Sequence, residues 1–298
     1  MNNLILTYAG TQLLNKYIEY VLITLKTARQ YTEKNTDTVL LTDTNELNKG
    51  VITACKALQV EIEQNYKPLD LNSLGRDRWY AYENTLRQFK SKYNKVLICD
   101  ARDVLFQGDP FSFQNQNHLN LFSDGFIHAQ CSWNSNDQAK LAKALGEQKS
   151  FATWPMINAS TIYGSTSNVI RWVTLITNTN KVIPRVCSDQ AIVNRLVRDN
   201  LEDPDYNITL IEDTDYYVSG YGLFAPGVKR FTEPEQKWEN KQLLHTNGKP
   251  YTIFHQWDRT PYAKEIMSDL FTDWNKLTEP KKQPQYEQSY LELGEPVG

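Results

Sequence analysis

The sequence lacks the features that mark nucleic-acid-binding, membrane-spanning or disulfide-stabilised proteins. Its net charge is only −3 over 298 residues, which gives no electrostatic reason to expect binding to nucleic acid or to an anionic membrane. No stretch approaches the roughly 20 apolar residues that a membrane-spanning helix needs. The four cysteines are widely scattered, without the spacing of a metal or redox site (Cys55, Cys99, Cys131 and Cys187). We therefore expect a reduced, cytoplasmic location.

The chain also lacks a leader pattern, repeats and interior linkers. Residues 1–8 lead directly into a strand pattern without a basic region or a long apolar core, so no signal peptide is predicted. Hydrophobic residues make up 40% of the chain and charged residues 22%, which is ordinary for a globular protein with a real core. We predict one domain over residues 1–275 and a polar, frayed tail over residues 276–298.

Strand and helix patterns alternate through the first hundred residues. Short apolar runs predict strands at 4–8, 38–42, 59–62 and 96–99. Apolar residues at helical spacing predict helices between them at 14–25, 51–58 and 79–93. Strands that alternate with helices form parallel, doubly wound sheets. The sequence thus predicts an α/β, Rossmann-like fold with a mostly parallel central sheet and flanking helices.

Beyond Pro110 the pattern is mixed. Strands are predicted at 119–122, 126–131, 157–163, 209–211 and 251–255. Helices are predicted at 137–145, from a Ser165 or Ser167 cap through Ile176, at 189–197 after a Ser188 cap, and at 262–274.

The strand at 96–99 ends in two carboxylates, Asp100 and Asp103, with Arg102 between them. In an open α/β sheet, ligands bind at the carboxyl ends of the strands. Paired carboxylates there suit a divalent cation that also holds the phosphates of a substrate. An Asp-rich turn with Arg102 paired to one of the acids would give the same pattern.

Three further motifs follow along the chain. Asn158 opens an Asn-Ala-Ser strand segment, Asp189 and Gln190 begin a helix, and His255-Gln-Trp-Asp-Arg259 follows a strand. Together with the Asp100-Ala-Arg-Asp103 turn, they resemble the motifs of GT-A-fold glycosyltransferases, in particular the retaining group that includes glycogenin and bacterial lipopolysaccharide galactosyltransferases. The resemblance spans residues 2–262 in layout and is specific only at these short motifs.

The resemblance implies a metal-dependent transfer of a sugar from a nucleotide sugar, with a UDP-sugar favoured, to a glycan or other hydroxyl acceptor. It implies Mn²⁺ (or Mg²⁺) held by Asp100, Asp103 and His255, and the imidazole ligand favours Mn²⁺. Asp103 matches the second aspartate of the family's Asp-x-Asp motif, which is one residue longer in this chain. His245 competes with His255 for the place of the third ligand.

The resemblance also implies contacts to the donor. Asp189 and Gln190 would orient the sugar beneath its anomeric carbon as the catalytic pair. The residues implied in donor binding are Tyr8, Arg78, Asp100, Arg102, Asn158, Lys249 and Arg259. Plainer roles compete with these, since Tyr8 would serve as a core aromatic, Arg78 as a solvated arginine at a helix start, and Asp189 as a carboxylate favoured by the helix dipole. Ser160 stands where the family has glycine.

Two other classes of protein stay open. A nucleotidylyltransferase would need a glycine-rich phosphate loop with a basic residue after the first strand. Ala9-Gly10-Thr11-Gln12 resembles such a loop only weakly, because it lacks the repeated glycines and the lysine or arginine. The other class is a non-catalytic carbohydrate- or nucleotide-binding protein on the same fold. Neither a nucleic-acid partner nor a transmembrane segment is predicted.

Overall fold

The central sheet of the protein has seven strands and is mixed but mostly parallel, with helices on both faces. This architecture comes from a computed structural model, which describes residues 2–43, 46–64, 75–113, 117–147, 151–183, 186–211, 218–220, 237–244, 248–260 and 262–271. The predicted α/β class is therefore confirmed. None of the helices in these ranges combines the length and apolar character that crossing a bilayer requires.

The first half of the sheet is parallel and doubly wound. It contains strands β1 (Asn2–Tyr8), β2 (Thr36–Leu41), β3 (Val60–Glu63) and β4 (Tyr93–Asp100), which alternate with helices α1 (Thr11–Tyr31), α2 (Lys49–Ala57) and α3 (Arg78–Phe89). The strand order is β3-β2-β1-β4, so the direction of winding reverses between β1 and β4. Ligand crevices in open α/β sheets lie outside the carboxyl ends of the strands at such a switch point. Tyr8 and Asp100 end these two strands as register partners.

The second half of the sheet turns antiparallel at one strand. The elements are β5 (Val104–Phe106), β6 (Leu119–Ile127), α4 (Ser132–Ala144), β7 (Pro155–Ser165), α5 (Thr166–Val182), α6 (Asp189–Asn200) and β8 (Ile208–Ile211). Beyond β4 the order is β7-β6-β8, and β7 is antiparallel to both of its neighbours. Ile98 pairs with Ile162. Asp100 lies two residues after Ile98 and Ser160 two residues before Ile162, so the antiparallel pairing brings both to the same edge of the sheet, where both lie near His255 Nε2.

A small second sheet covers the end of β4. Its strands are β5, β9 (Val218–Gly220) and β12 (Ile253–His255), in the order β5-β12-β9. The remaining elements are a β10–β11 hairpin (Lys237–Glu239 and Gln242–Leu244), helix α7 (Ala263–Phe271), and 3-10 turns at Pro110–Ser112, His128–Gln130 and Trp257–Arg259. Because β12 pairs with β5, its last residue, His255, lies opposite Val104 and beside the turn after β4.

Alternate residues of the central strands pack into two hydrophobic clusters on opposite faces of the sheet. Leu4, Leu6 and Ile98 are buried in one cluster with residues of α3, α5 and α6. Ile5 and Leu97 are buried on the other face, in a cluster with residues of α1, β5 and β12. Burial on both faces explains why β1 and β4 are unbroken apolar runs in the sequence.

Several boundaries differ from the predictions. Tyr93 begins β4 and does not belong to α3, which ends at Phe89. The separate strand predicted at 126–131 is wrong, because β6 continues through Gly125, at a φ of +74°, as far as Ile127. The backbone N–H of Ile127 then donates to Gln130 Oε1 at 2.8 Å, which closes a 3-10 turn.

Other boundaries shifted by a few residues. Helix α4 begins at Ser132, five residues before its predicted start at residue 137, and β12 contains only the last three residues of its predicted run. Ser165, and not Ser167, caps α5, because its hydroxyl accepts from Asn168 N at 3.3 Å. Residues 272–298, which include the predicted tail, lie outside the described ranges.

Candidate metal and donor site

Three side chains predicted as metal ligands converge at the switch point. One ligand atom each from Asp100, Asp103 and His255 lies within 4.8 Å of the other two. The Nε2 atom of His255 is 3.7 Å from Asp100 Oδ2 and 3.8 Å from Asp103 Oδ1. Two ligands at about 2.0–2.6 Å from one ion can be at most about 4–5 Å apart. Two carboxylates and an imidazole at this spacing therefore fit a divalent cation.

The ligand candidates are held by backbone pairing. Asp100 is fixed by the pairing of β4 with β1, and His255 by the pairing of β12 with β5. The carbonyl of Asp103 accepts from Gln256 N at 2.6 Å, and Gln256 has a left-handed backbone with a φ of +62°. The turn after β4 and the end of β12 are thus tied together directly, although about 150 residues of sequence separate them.

Arg78, the first residue of α3, connects Asp100 to Asp189. Its guanidinium donates to Asp100 Oδ1, and its Nη2 and Nε atoms lie 2.7 and 2.8 Å from Asp189 Oδ2. Burial lowers the pKa of Arg78, but Asp189 and Asp100 together raise it by more than burial lowers it. The pKa of Arg78 therefore lies above its ordinary value. Burial raises the pKa of Asp100, but Arg78 and His255 lower it more, to well below its ordinary value. Arg78 is therefore not a solvated arginine at a helix start.

Asp189 begins α6 and is buried against the start of α3. Ser188 caps α6, because its hydroxyl accepts from Ala191 N. Asp189 Oδ2 also accepts from the indole N–H of Trp79 at 3.0 Å. Gly75 adopts a φ of +85° and approaches the carboxylate so closely that an added Cβ would lie 3.2 Å from Asp189 Oδ1. The Asp189 side chain is thus fixed by contacts from a different segment, and not only by the dipole of its own helix.

Arg102 pairs with buried acids. Its Nη2 atom lies 3.4 Å from Asp103 Oδ2 and 3.1 Å from Asp258 Oδ2, and its guanidinium covers the ring of Tyr17 at 5.0 Å. Burial and the nearby Asp103 raise the pKa of Asp258 to about 6. Arg259 is more exposed, at 40%, and its Nη2 atom lies 3.9 Å from Asp103 Oδ2. Two carboxylates thus offset the charge of Arg102, whereas Arg259 reaches the solvent-facing side.

Asn158 and Ser160, both buried on β7, contact the two nitrogens of the His255 ring. Asn158 Nδ2 lies 2.6 Å from Nδ1, and Ser160 Oγ lies 3.0 Å from Nε2. The Oδ1 atom of Asn158 accepts from Ser160 N at 2.6 Å and also from the Ser160 hydroxyl. Asn158 therefore supports the third ligand candidate, and its contact with a donor sugar stays a prediction.

The remaining predicted residues lie around this centre with different environments. Gln190 donates to Asn134 Oδ1 in α4 at 3.1 Å. Tyr8 is half-buried, and its pKa is raised by burial and by Asp43 and Asp77. Lys249 is exposed on the segment that leads into β12. His245 falls outside the described residues.

Two residues of this centre were not predicted from the sequence. Asp258 belongs to the His255-Gln-Trp-Asp-Arg259 motif, so the sequence motif already contained it. Its ion pair with Arg102 could not be predicted, because only the tertiary fold brings the two residues together. Ser160 was noticed only as a departure from the family pattern, whereas its hydroxyl contacts His255. The period of two along a strand places residues 158 and 160 on one face, and that signal would have linked Ser160 to Asn158.

Comparison of the chain with models of known protein families finds no match, and comparison with curated proteins finds none either.

Proposed function

We propose that this protein is a metal-dependent glycosyltransferase of the GT-A type that uses a nucleotide-sugar donor, with a UDP-sugar favoured by the motif resemblance. The observation that supports this most directly is the convergence of Asp100, Asp103 and His255 at the β1–β4 switch point. Arg78 connects this group to Asp189, which was predicted to orient the donor sugar together with Gln190. Four motifs that are distant in the sequence thus meet at one edge of the sheet.

The chemistry of sugar transfer matches these groups. A divalent cation held by Asp100, Asp103 and His255 would neutralise the negative charge that develops on the leaving diphosphate. Arg259 is the better phosphate-binding arginine, because it is 40% exposed while Arg102 is only 17% exposed and paired with two acids. Lys249 is a second, exposed basic group on the segment before β12.

Asp189 is the group assigned to the sugar. Its Oδ2 atom takes the contacts from Arg78 and Trp79, which fix the plane of the carboxylate. We assign Oδ1 to a hydroxyl of the donor sugar, with Gln190 following on the same helix. Retention of configuration is proposed only because the group that the motifs resemble retains it.

A donor screen tests this function. The protein is incubated with a panel of nucleotide sugars and Mn²⁺, and release of the free nucleotide is measured, with Asp103→Asn as the matched inactive variant. Release from one donor supports the proposal. Release of pyrophosphate from a nucleoside triphosphate and a sugar phosphate would instead show a nucleotidylyltransferase, and binding without release from any donor would show a non-catalytic protein.

Metal dependence provides a second test. Chelation by EDTA should abolish nucleotide release, and Mn²⁺ should restore it better than Mg²⁺ does, because an imidazole is a softer ligand than oxygen. Full activity after exhaustive chelation would contradict the metal role and would point to Arg102 or Arg259 as the groups that neutralise the diphosphate.

A further inference from the structure

The hydrogen bonds around His255 fix the orientation of the Asn158 amide. The backbone N–H of Ser160 can only donate, and the atom that faces it at 2.6 Å must therefore be the amide oxygen of Asn158. The other end of the same amide, the NH₂ group, then faces His255 Nδ1 at 2.6 Å. This assignment follows from the backbone donor and not from the similar shapes of amide oxygen and nitrogen.

The same hydrogen bonds fix the tautomer of the neutral imidazole. Because Asn158 donates to Nδ1, that nitrogen accepts, and the ring proton lies on Nε2. Nε2–H donates to Ser160 Oγ at 3.0 Å, and the Ser160 hydroxyl donates in turn to Asn158 Oδ1. The three side chains form a closed ring of three hydrogen bonds, to which each side chain contributes one donor and one acceptor.

This tautomer conflicts with metal binding. Nε2 is the nitrogen that faces Asp100 and Asp103, at 3.7 and 3.8 Å, and a metal ligand needs its lone pair there instead of a proton. A histidine bound to metal almost always donates its other ring N–H to an oxygen. In this structure the group opposite that other nitrogen is the NH₂ of Asn158, which is a donor.

We propose that cation binding at this site is linked to a tautomer switch of His255, controlled by Asn158 as a positioning residue whose amide is oriented by the backbone N–H of Ser160. The proposal rests on the metal role of the site given above. In the switch one proton leaves Nε2 for solvent water, one proton is taken up at Nδ1 from solvent water, and the ring stays neutral. The Asn158 amide turns so that its oxygen accepts from Nδ1–H and its NH₂ donates to Ser160 Oγ. In the switched arrangement the backbone N–H of Ser160 no longer has Asn158 Oδ1 as its acceptor. The loss of this hydrogen bond makes the switch unfavourable without a cation and so stabilises the metal-free form.

Nitrogen NMR of the full-length protein tests the switch directly. The ¹⁵N chemical shift distinguishes protonated from unprotonated ring nitrogens. The chain has only four histidines, so the His255→Gln variant assigns the signal. At a pH where the ring is neutral, we expect Nε2–H without metal and Nδ1–H at saturating Mg²⁺, which is diamagnetic. Nδ1–H in the metal-free protein, or Nε2–H in the saturated protein, would overturn the proposal.

The Asn158→Asp variant tests the control. A carboxylate of the same shape accepts from both Ser160 N–H and Nδ1–H, so the metal-free ring should already be the Nδ1–H tautomer. Mn²⁺ should then bind at least about 10-fold more tightly, which is the size of effect typical of outer partners of metal ligands. Ser160→Ala keeps the donor on Nδ1 and should leave the tautomer as Nε2–H.

The outcomes separate this proposal from the proposed function. Tighter Mn²⁺ binding by Asn158→Asp with an unchanged tautomer would be an effect of the added charge and would contradict the switch. A switch observed in a protein that turns over no nucleotide sugar would keep the inference and refute the transferase. If neither Mg²⁺ nor Mn²⁺ binds to the wild type, both proposals fail.

Discussion

Two of the clusters of buried polar side chains in the described part of the molecule contrast with each other. The charged cluster at the β1–β4 switch point contains Asp100, Asp103, Asp258, Arg78 and Arg102, with carboxylates close to one another. The amide cluster lies between α6 and β7 and is neutral. In it, Asn194 accepts from Ile157 N at 2.7 Å and donates to Ile157 O at 2.8 Å, while its Oδ1 lies 3.1 Å from His128 Nε2.

The difference supports the charged cluster as the candidate site. In the amide cluster, the side chain of Asn194 hydrogen-bonds to both the backbone N–H and the backbone C=O of Ile157. The cluster therefore holds α6 against β7. In the charged cluster, carboxylates lie close together, and the pKa of Asp258 is raised to about 6 by burial and by Asp103. Buried like charges persist where a ligand compensates them. Burial of a polar group alone does not identify a site.

The largest expected effect is the loss of cation binding in the charged cluster. Asp103→Asn keeps the shape of the buried side chain but removes a charged ligand, so Mn²⁺ affinity and nucleotide release should fall more than about 100-fold. Isothermal titration with Mn²⁺ measures the affinity, and thermal unfolding should show an intact fold. Near-normal Mn²⁺ binding by this variant would remove Asp103 from the ligand set.

Asp137→Asn is the matched control for that variant. Asp137 Oδ2 accepts from Ser188 N at 2.9 Å and from Ser188 Oγ at 2.5 Å, at the start of α6. The same chemical change there should lower the stability of the protein while leaving Mn²⁺ affinity within about threefold, because Asp137 is not part of the charged cluster. If both variants lose Mn²⁺ equally, the loss is a general effect of unfolding.

The second prediction concerns the amide cluster. Asn194→Leu should lower the free energy of unfolding by about 2–4 kcal/mol, because the buried N–H and C=O of Ile157 lose their side-chain partners and each such loss costs about 1–3 kcal/mol. Urea unfolding measures the change. The folded variant should bind Mn²⁺ normally. A change below about 0.5 kcal/mol would show that Ile157 finds other partners.

Local sequence patterns were sufficient for most of the fold. The runs at 4–8 and 96–99 are buried on both faces, which is why strands β1 and β4 were predictable from apolar residues alone. β5, β9, β10 and β11 were not predicted, because three residues are too few to show a period. Tyr93 continued the helical spacing of α3, although it is the first residue of β4.

The candidate site was predictable as a set of residues but not as a set of contacts. Asp100, Asp103 and His255 came from motifs, and the structure brings all three together. The partners of Arg78 were not predictable, since Asp189 is 111 positions away and the contact depends on how α3 meets α6. Sequence periodicity is local, whereas such ion pairs are set by the topology of the sheet.

The third prediction decides between the two late histidines. His255→Ala should weaken Mn²⁺-dependent UDP binding by about 10- to 100-fold, in line with losses at residues that support metal ligands. His245→Ala is the control, and it should have a much smaller effect. UDP is titrated into both variants with Mn²⁺ present. If His245→Ala is the more damaging change, the assignment of His255 as the ligand is wrong.

The smallest expected effect is a pH dependence that arises in the amide cluster. His128 is 1% exposed, its Nδ1 has no hydrogen-bond partner, and burial lowers its pKa below 6.5 despite the contact with Asn194. Below about pH 6.5 the unfolded chain therefore binds a proton that the folded protein does not, so stability falls as the pH falls towards the lowered pKa. This contributes to a loss of unfolding free energy between pH 7 and 5.5, which is measured in urea. His128→Gln should remove that contribution.

The control is His118→Gln, which changes a half-buried histidine that is hydrogen-bonded to Thr209 Oγ1 at 2.7 Å. An equal slope in both variants would show that the acid sensitivity lies elsewhere, with the charged cluster as the next place to test.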